Sequence, residues 1–125
     1  MRLTVMKNAY AICKLDNDSP IPPWVNASHG FASMTYTQDE LSIICDEVHV
    51  PPEIEQERGW RIIKVIGPLD FSLVGVISKI TGILAHAGVC LFTVSTYETD
   101  FILVRQDSLD IAVRALKEAE MEIID

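Results

Sequence analysis

The sequence predicts an α+β fold made of two β-α-β-β-α-β units, the first of them degenerate, and three observations carry that prediction. The phrase T-Y-x-x-D occurs twice, at Thr35-Tyr36-Thr37-Gln38-Asp39 and at Thr96-Tyr97-Glu98-Thr99-Asp100, about half a chain apart. Each copy stands between two strand-like runs and reads as the turn of a hairpin. The second half carries the complete alternation of strand and helix patterns, whereas the first half has prolines where its first helix should stand.

In the first half, Leu3-Thr4-Val5-Met6 and Tyr10 to Leu15 are strand-like, and Phe31 to Tyr36 with Leu41 to Cys45 form a hairpin around the first T-Y-x-x-D. Between them, Pro20, Pro22 and Pro23 forbid an extended helix, because each removes a donor and restricts the residue before it. At most one helical turn survives there, with Trp24 able to fold back on the core. The segment Pro51 to Gly59 predicts a short second helix, with proline at its start and glycine at its end. The boundary falls near Glu57 to Gly59, which divides the chain into 1–58 and 59–125 without a flexible linker.

In the second half, Trp60 to Ile66 is a β-branched strand ended by Gly67 and Pro68. From Ser72 onward, Leu73, Val76, Ile77, Ile80, Leu84 and Ala87 recur at helical spacing, and Gly88 supplies the C-terminal cap. Val89 to Ser95 and Phe101 to Val104 are strands around the second T-Y-x-x-D. Ser108 caps a second helix that repeats Leu109, Ala112, Val113, Leu116 and Ala119 on one face, and Met121 to Ile124 closes as a short strand. This order is that of a ferredoxin-like sandwich, with two helices on one side of an antiparallel sheet.

Composition narrows the functional classes. Ten Lys and Arg against 18 Asp and Glu give a formal charge of −8, which opposes phosphate backbones and anionic membranes. No apolar run reaches the roughly 18 residues that span a bilayer, and the Met1-Arg2-Leu3-Thr4-Val5 start lacks a signal-peptide core, so a cytoplasmic protein is expected. Hydrophobic residues make up 49% of the chain at a mean hydropathy of +0.24. That is high for two units of about 60 residues, and a shared core or a homodimer is expected. Cys13, Cys45 and Cys90 lie in apolar runs and read as small buried hydrophobes in a reducing compartment. With no C-x-x-C and with His29, His49 and His86 scattered, neither a metal site nor a cofactor is expected.

The runs Gly67-Pro68-Leu69-Asp70-Phe71-Ser72-Leu73-Val74-Gly75-Val76-Ile77, Leu84-Ala85-His86-Ala87-Gly88-Val89 and Ser95 to Val104 resemble the ACT domain. They are similar in particular to the tandem ACT branch found in aspartate kinase regulatory regions and in the cytosolic arginine sensor of animals. Thr37 to Cys45 resembles the matching part of that branch's first domain. The resemblance implies an amino-acid-sensing domain, commonly dimeric, and leaves the amino acid open.

The residues themselves suggest how such a site works. A loop from Gly67 to Gly75 leads into a helix whose first N–H groups lack partners, so Asp70, Phe71, Ser72, Leu73, Val74 and Gly75 can hold an α-carboxylate at a favourable helix end. Ser72 reads more simply as a helix cap than as a ligand contact, and Asp70 is a second cap candidate. Gly75 permits close approach of a backbone or a ligand. Across from the loop, Asp100 is a counter-ion for an α-ammonium, Thr96 a hydroxyl partner and Tyr97 a wall, positions that the resemblance also implies lie near the ligand. Against this stands the plainer reading of T-Y-x-x-D as turn chemistry. His86 reads as a boundary residue, and Trp24 and Trp60 as core. The leading function is a non-catalytic amino-acid-binding regulatory protein that acts on a separate effector protein. The alternative is an ACT-like dimerisation or interaction module without a ligand. An enzyme using Asp100 or His86 is the least favoured, because no nucleophile, phosphate loop or metal constellation accompanies them.

Overall fold

A computed structural model describes residues 1–28, 30–67 and 75–124. The chain clusters into two compact units, Asn8–Trp60 and Met1–Lys7 with Arg61–Asp125. Within the described residues both α-helices lie in the second unit.

The first unit is built on β2 (Tyr10–Leu15), which pairs antiparallel with β4 (Leu41–Asp46) on one side and with the start of β5 (Glu55–Val65) on the other. Strand β3 (Ser33–Tyr36) pairs with the outer side of β4. Alternation along β2 and β4 sends Ala11, Cys13, Leu41, Ile43 and Cys45 into a core closed by Val25 and Val50, against which Trp24 packs half-buried. The prolines leave a 3-10 turn, Pro23–Ala27, and that turn delivers Val25 and Trp24 to this core. Cys13 and Cys45 are buried neighbours on adjacent strands. Their mutual hydrogen bond, with burial, pushes the Cys45 thiol up, so it stays protonated. Cys90, by contrast, is exposed and not a core residue as its sequence context suggests.

The expected helix over Pro51 to Gly59 is not formed. Residues 55–60 are strand, with Glu55, Gln56 and Glu57 facing Lys14, Cys13 and Ile12. Ladder hydrogen bonds to β2 override the helical preference of a Glu-rich segment. The helical turn of this region stands earlier, as a 3-10 turn at Glu47–His49.

The second unit has the ferredoxin-like β-α-β-β-α-β order in β5, α1 (Val76–His86), β6 (Leu91–Ser95), β7 (Asp100–Arg105), α2 (Leu109–Glu118) and β8 (Glu122–Ile124). To this order the chain adds its own first segment. Strand β1 (Arg2–Val5) lies antiparallel to β5, with Leu3 facing Val65, and parallel to β8, with Leu3 facing Ile123. The strand order is therefore β6-β7-β5-β1-β8. Leu3, Ile63, Val65, Ile102 and Val104 from the sheet meet Ile80, Leu84, Ala112 and Leu116 from the two helices in one core. On α1 the core-facing residues are Val76, Ile80, Ile83 and Leu84, so Ile83 takes the place expected for Ala87, which is exposed.

The cap after α1 is the one expected. Gly88 has φ +77°, its N–H reaches Ala85 O, and Val89 N–H reaches Leu84 O. Helix α2 ends in the same geometry with Glu120 at φ +67°, Glu120 N–H on Lys117 O and Met121 N–H on Leu116 O. Ser108 occupies the N-cap position of α2 without a side-chain capping bond, because a 3-10 turn, Gln106–Ser108, already leads the backbone into the helix.

Candidate functional site

The two hairpins share one design. In β6–β7, Ser95 faces Asp100, Thr96 N–H donates to Thr99 O at 2.8 Å, and the Thr96 hydroxyl reaches the same carbonyl at 3.2 Å. In β3–β4, Tyr36 faces Leu41 and Thr37 N–H donates to Glu40 O at 3.0 Å. The Thr37 hydroxyl also accepts from the N–H groups of Asp39 and Glu40, at 3.1 Å each. The structural counterpart of Thr96 is thus Thr37, not Thr35, and Asp39 sits at the tip where the other hairpin has Glu98. The place of Asp100 is taken by Leu41. The repeated phrase is out of step with the turns it marks, because the inward alternation of Leu41, Ile43 and Cys45 sets the register of β4.

Asp100 opens β7 half-buried, and its Oδ1 accepts a hydrogen bond from the Ser95 hydroxyl. That bond orients the carboxylate. Tyr97 stands at the tip of the hairpin and is 82% exposed. Thr96 is exposed and closes the turn. Gly75 precedes α1 with φ +81° and ψ 9°, and its carbonyl accepts Lys79 N–H at 2.9 Å. Its left-handed backbone favours glycine, and a Cβ there would meet no described atom within 4 Å. The other expected carboxylate-binding residues, Asp70, Phe71, Ser72, Leu73 and Val74, lie outside the described residues.

Sequence reasoning missed Thr99. It is buried, and its hydroxyl donates to Val65 O at 2.7 Å. Val65 ends β5, two residues before Gly67, so this bond ties the hairpin end bearing Asp100 to the strand leading into 68–75. A threonine in a hairpin turn carries no local signal of such a bond, since its partner is remote in sequence. Thr99→Val keeps the shape and strands a buried carbonyl. It is expected to lower unfolding free energy by about 1–3 kcal/mol in a urea titration, against less than about 0.5 kcal/mol for the exposed Thr96→Val.

Two grooves lie elsewhere. One of about 530 Å³ runs over the helices, lined by Gly82, Ile83, His86, Ala115 and Glu118 among others. Another of about 210 Å³ lies on the first unit's sheet beside Lys14, Glu40, Glu55 and Glu57. Neither is lined by Gly75, Thr96, Tyr97 or Asp100. Among the described residues no helix is long and apolar enough to cross a membrane.

A family model described as the ACT domain matches residues 55–118, and a model of an N-terminal domain matches residues 8–53. Over 97 residues, 69% of this chain, the sequence is 31% identical to the cytosolic arginine sensor for mTORC1 subunit 1 of Bos taurus. The chain covers only 30% of that relative's length. Among solved structures, a protein from Agobacterium tumefaciens is 32% identical with a TM-score of 0.92, the match covering 98% of this chain and 91% of that one. The fold is also that of aspartate kinase from Clostridium acetobutylicum, with TM-score 0.71, 15% identity and coverages of 94% and 33%. The regulatory subunit of aspartate kinase from Thermus thermophilus shares it as well, with TM-score 0.61, 12% identity and coverages of 92% and 96%.

Proposed function

This chain belongs to the ACT domain family, and from that premise we propose that it is a non-catalytic regulatory protein that binds a free amino acid. The observation that carries this reading is the carboxylate of Asp100, oriented by Ser95 on a hairpin that Thr99 ties to the strand leading into residues 68–75. In the proposed complex Asp100 pairs with the α-ammonium, Thr96 adds a hydroxyl, and Tyr97 closes over the ligand. Backbone N–H groups of Asp70 to Gly75 take the α-carboxylate at the start of the helix. Its similarity to an arginine sensor and to a kinase regulatory subunit supports a sensing role without identifying this chain's ligand. In this reading the degenerate ACT-like domain expected over 1–58 starts at residue 8, since Met1–Lys7 joins the second unit, and 59–125 holds the complete one. The protein works in the cytoplasm as a homodimer and acts on a separate effector protein.

The exposure of Tyr97 favours a second reading, an ACT-like interaction module that binds no ligand. A panel of the standard amino acids by thermal shift separates the two. A ligand at one hundred times its Kd stabilises by about 2.7 kcal/mol, so at least one amino acid is expected to raise the melting temperature in a dose-dependent way. Nucleotides and sugars are expected to leave it unchanged. If no amino acid shifts it, the interaction module is the better description.

A further inference from the structure

We propose that the face of the first unit around Ile21, Met34 and Tyr36 is a docking surface for a cationic amphipathic helix of the effector protein. The proposal rests on the reading that this chain acts on a separate effector, and adds the surface and the chemistry that it takes.

Met34 and Tyr36 lie opposite Ile43 and Leu41 in the β3–β4 ladder, so all four point to one side of the sheet. Ile43 and Leu41 are fully buried there, in the core that Val25 and Val50 close. Met34 and Tyr36 are 42% and 55% exposed. In the second unit the core side of the sheet is covered by α1 and α2. On the first unit the described residues supply only the 3-10 turns Pro23–Ala27 and Glu47–His49, because Pro20, Pro22 and Pro23 stand where a helix would run. Val25 is carried onto the core of β2 and β4, and the outer strand β3 is left bare. The approach to that turn extends the patch. The Tyr36 hydroxyl lies 3.4 Å from Ser19 O, and two residues further on Ile21 is exposed.

The rim of this patch is acidic. Asn17 Nδ2 donates to Gln38 O at 2.8 Å, which brings Asp16 and Asp18 to the hairpin tip that carries Asp39, and all three are exposed. The charge of the chain is concentrated in the same unit. Asn8–Trp60 holds nine Asp and Glu against Lys14 and Arg58, so it carries −7 of the formal −8.

That charge selects the occupant. A second copy would bring −7 against −7 across this face, and nucleic acid or an anionic membrane is repelled in the same way. A helix with an apolar stripe flanked by Lys and Arg meets both the open Met34 and Tyr36 side chains and the aspartates around them. A helix is also the element that packs on this side of such a sheet and that the first unit does not form for itself.

The probe is a synthetic labelled helix with leucines on one face and lysines on the other, beside the same peptide with glutamate in place of lysine. The full chain should bind the lysine peptide and not the glutamate one, and the amide resonances that shift should fall in 16–24 and 33–39. Met34→Ser/Tyr36→Ser should weaken binding about tenfold or more, and Asp16→Asn/Asp18→Asn about threefold or more. Glu55→Gln/Glu57→Gln removes as much charge from the opposite face, where these residues lie across from Lys14 and Ile12, and should change affinity less than about twofold. Absence of binding, resonance shifts elsewhere, or equal losses in the two charge variants overturns the proposal. So does a wild-type dimer that Met34→Ser/Tyr36→Ser dissociates, which would give the face to a second copy. An amino acid that raises the melting temperature of wild type and Met34→Ser/Tyr36→Ser alike keeps the sensor reading whatever the peptide does. Patch-dependent peptide binding with no amino-acid shift would sink that reading and leave the docking surface. If Met34→Ser/Tyr36→Ser does not fold, the resonance shifts and the charge variants decide.

Discussion

Leu116→Ala is expected to lower the stability of the second unit by about 2–5 kcal/mol, the largest effect of any single change considered for this protein. Leu116 is fully buried on α2, in the core that Leu3, Ile63, Val65, Ile80 and Leu84 also enter. Truncation removes its transfer free energy and leaves a cavity that a sheet held on both edges of β5 cannot collapse to fill. Its carbonyl also accepts Met121 N–H in the cap after α2, so the backbone there is not free to shift. The control is Ile111→Ala on the exposed side of the same helix, where Ile111 is 51% accessible and the change should stay within about 0.5 kcal/mol. Urea titration of both variants measures the difference. A loss below about 1 kcal/mol at Leu116 would mean that the helices do not close on the sheet as described.

Asp100→Asn is expected to weaken amino-acid binding by about tenfold or more, using whichever amino acid stabilises the wild-type protein. Asparagine retains an Oδ1 that can accept from the Ser95 hydroxyl, so the hairpin geometry is kept while the charge proposed to face the ammonium is lost. A charge-assisted hydrogen bond of this kind contributes roughly 1.5–3 kcal/mol. Asp39→Asn should change affinity far less, since Asp39 occupies the tip of its hairpin and aligns with Glu98. Titration calorimetry on the two folded variants separates them. Equal losses would mean that both turns contribute to binding, and no loss in either would make Asp100 a purely structural partner of Ser95.

The helices, both hairpins and the cap at Gly88 were legible in the sequence, as was the family. Apolar residues at three- and four-residue steps from Val76 to Leu84, and from Leu109 to Ala119, need only the chain's own neighbours to declare a helix. A hairpin is equally local, since its turn and both strands lie within a dozen or so residues. The motifs from Gly67 to Val104 carried the family because they span one such run of local units. For the expected carboxylate-binding loop the sequence pointed to Asp70 to Val74, which lie outside the described residues, and to Gly75, which has a positive φ at its place before α1.

Only the tertiary structure decided which strand lies beside which. Leu3 to Val5 reads as a strand anywhere, and pairing with Val65 and Ile123 across most of the chain's length placed it in the second unit. The same cause turned Glu55 to Glu57 from helix to strand, because β2 offered those backbones a ladder. It exposed Cys90 just outside the start of an edge strand and hid Thr99 beneath a carbonyl at the far end of β5. A strand's hydrogen bonds are satisfied by a partner that its own residues do not name. Amphipathic periodicity therefore gave this chain its elements, while edge, centre and anchoring hydroxyl were settled only when remote segments met.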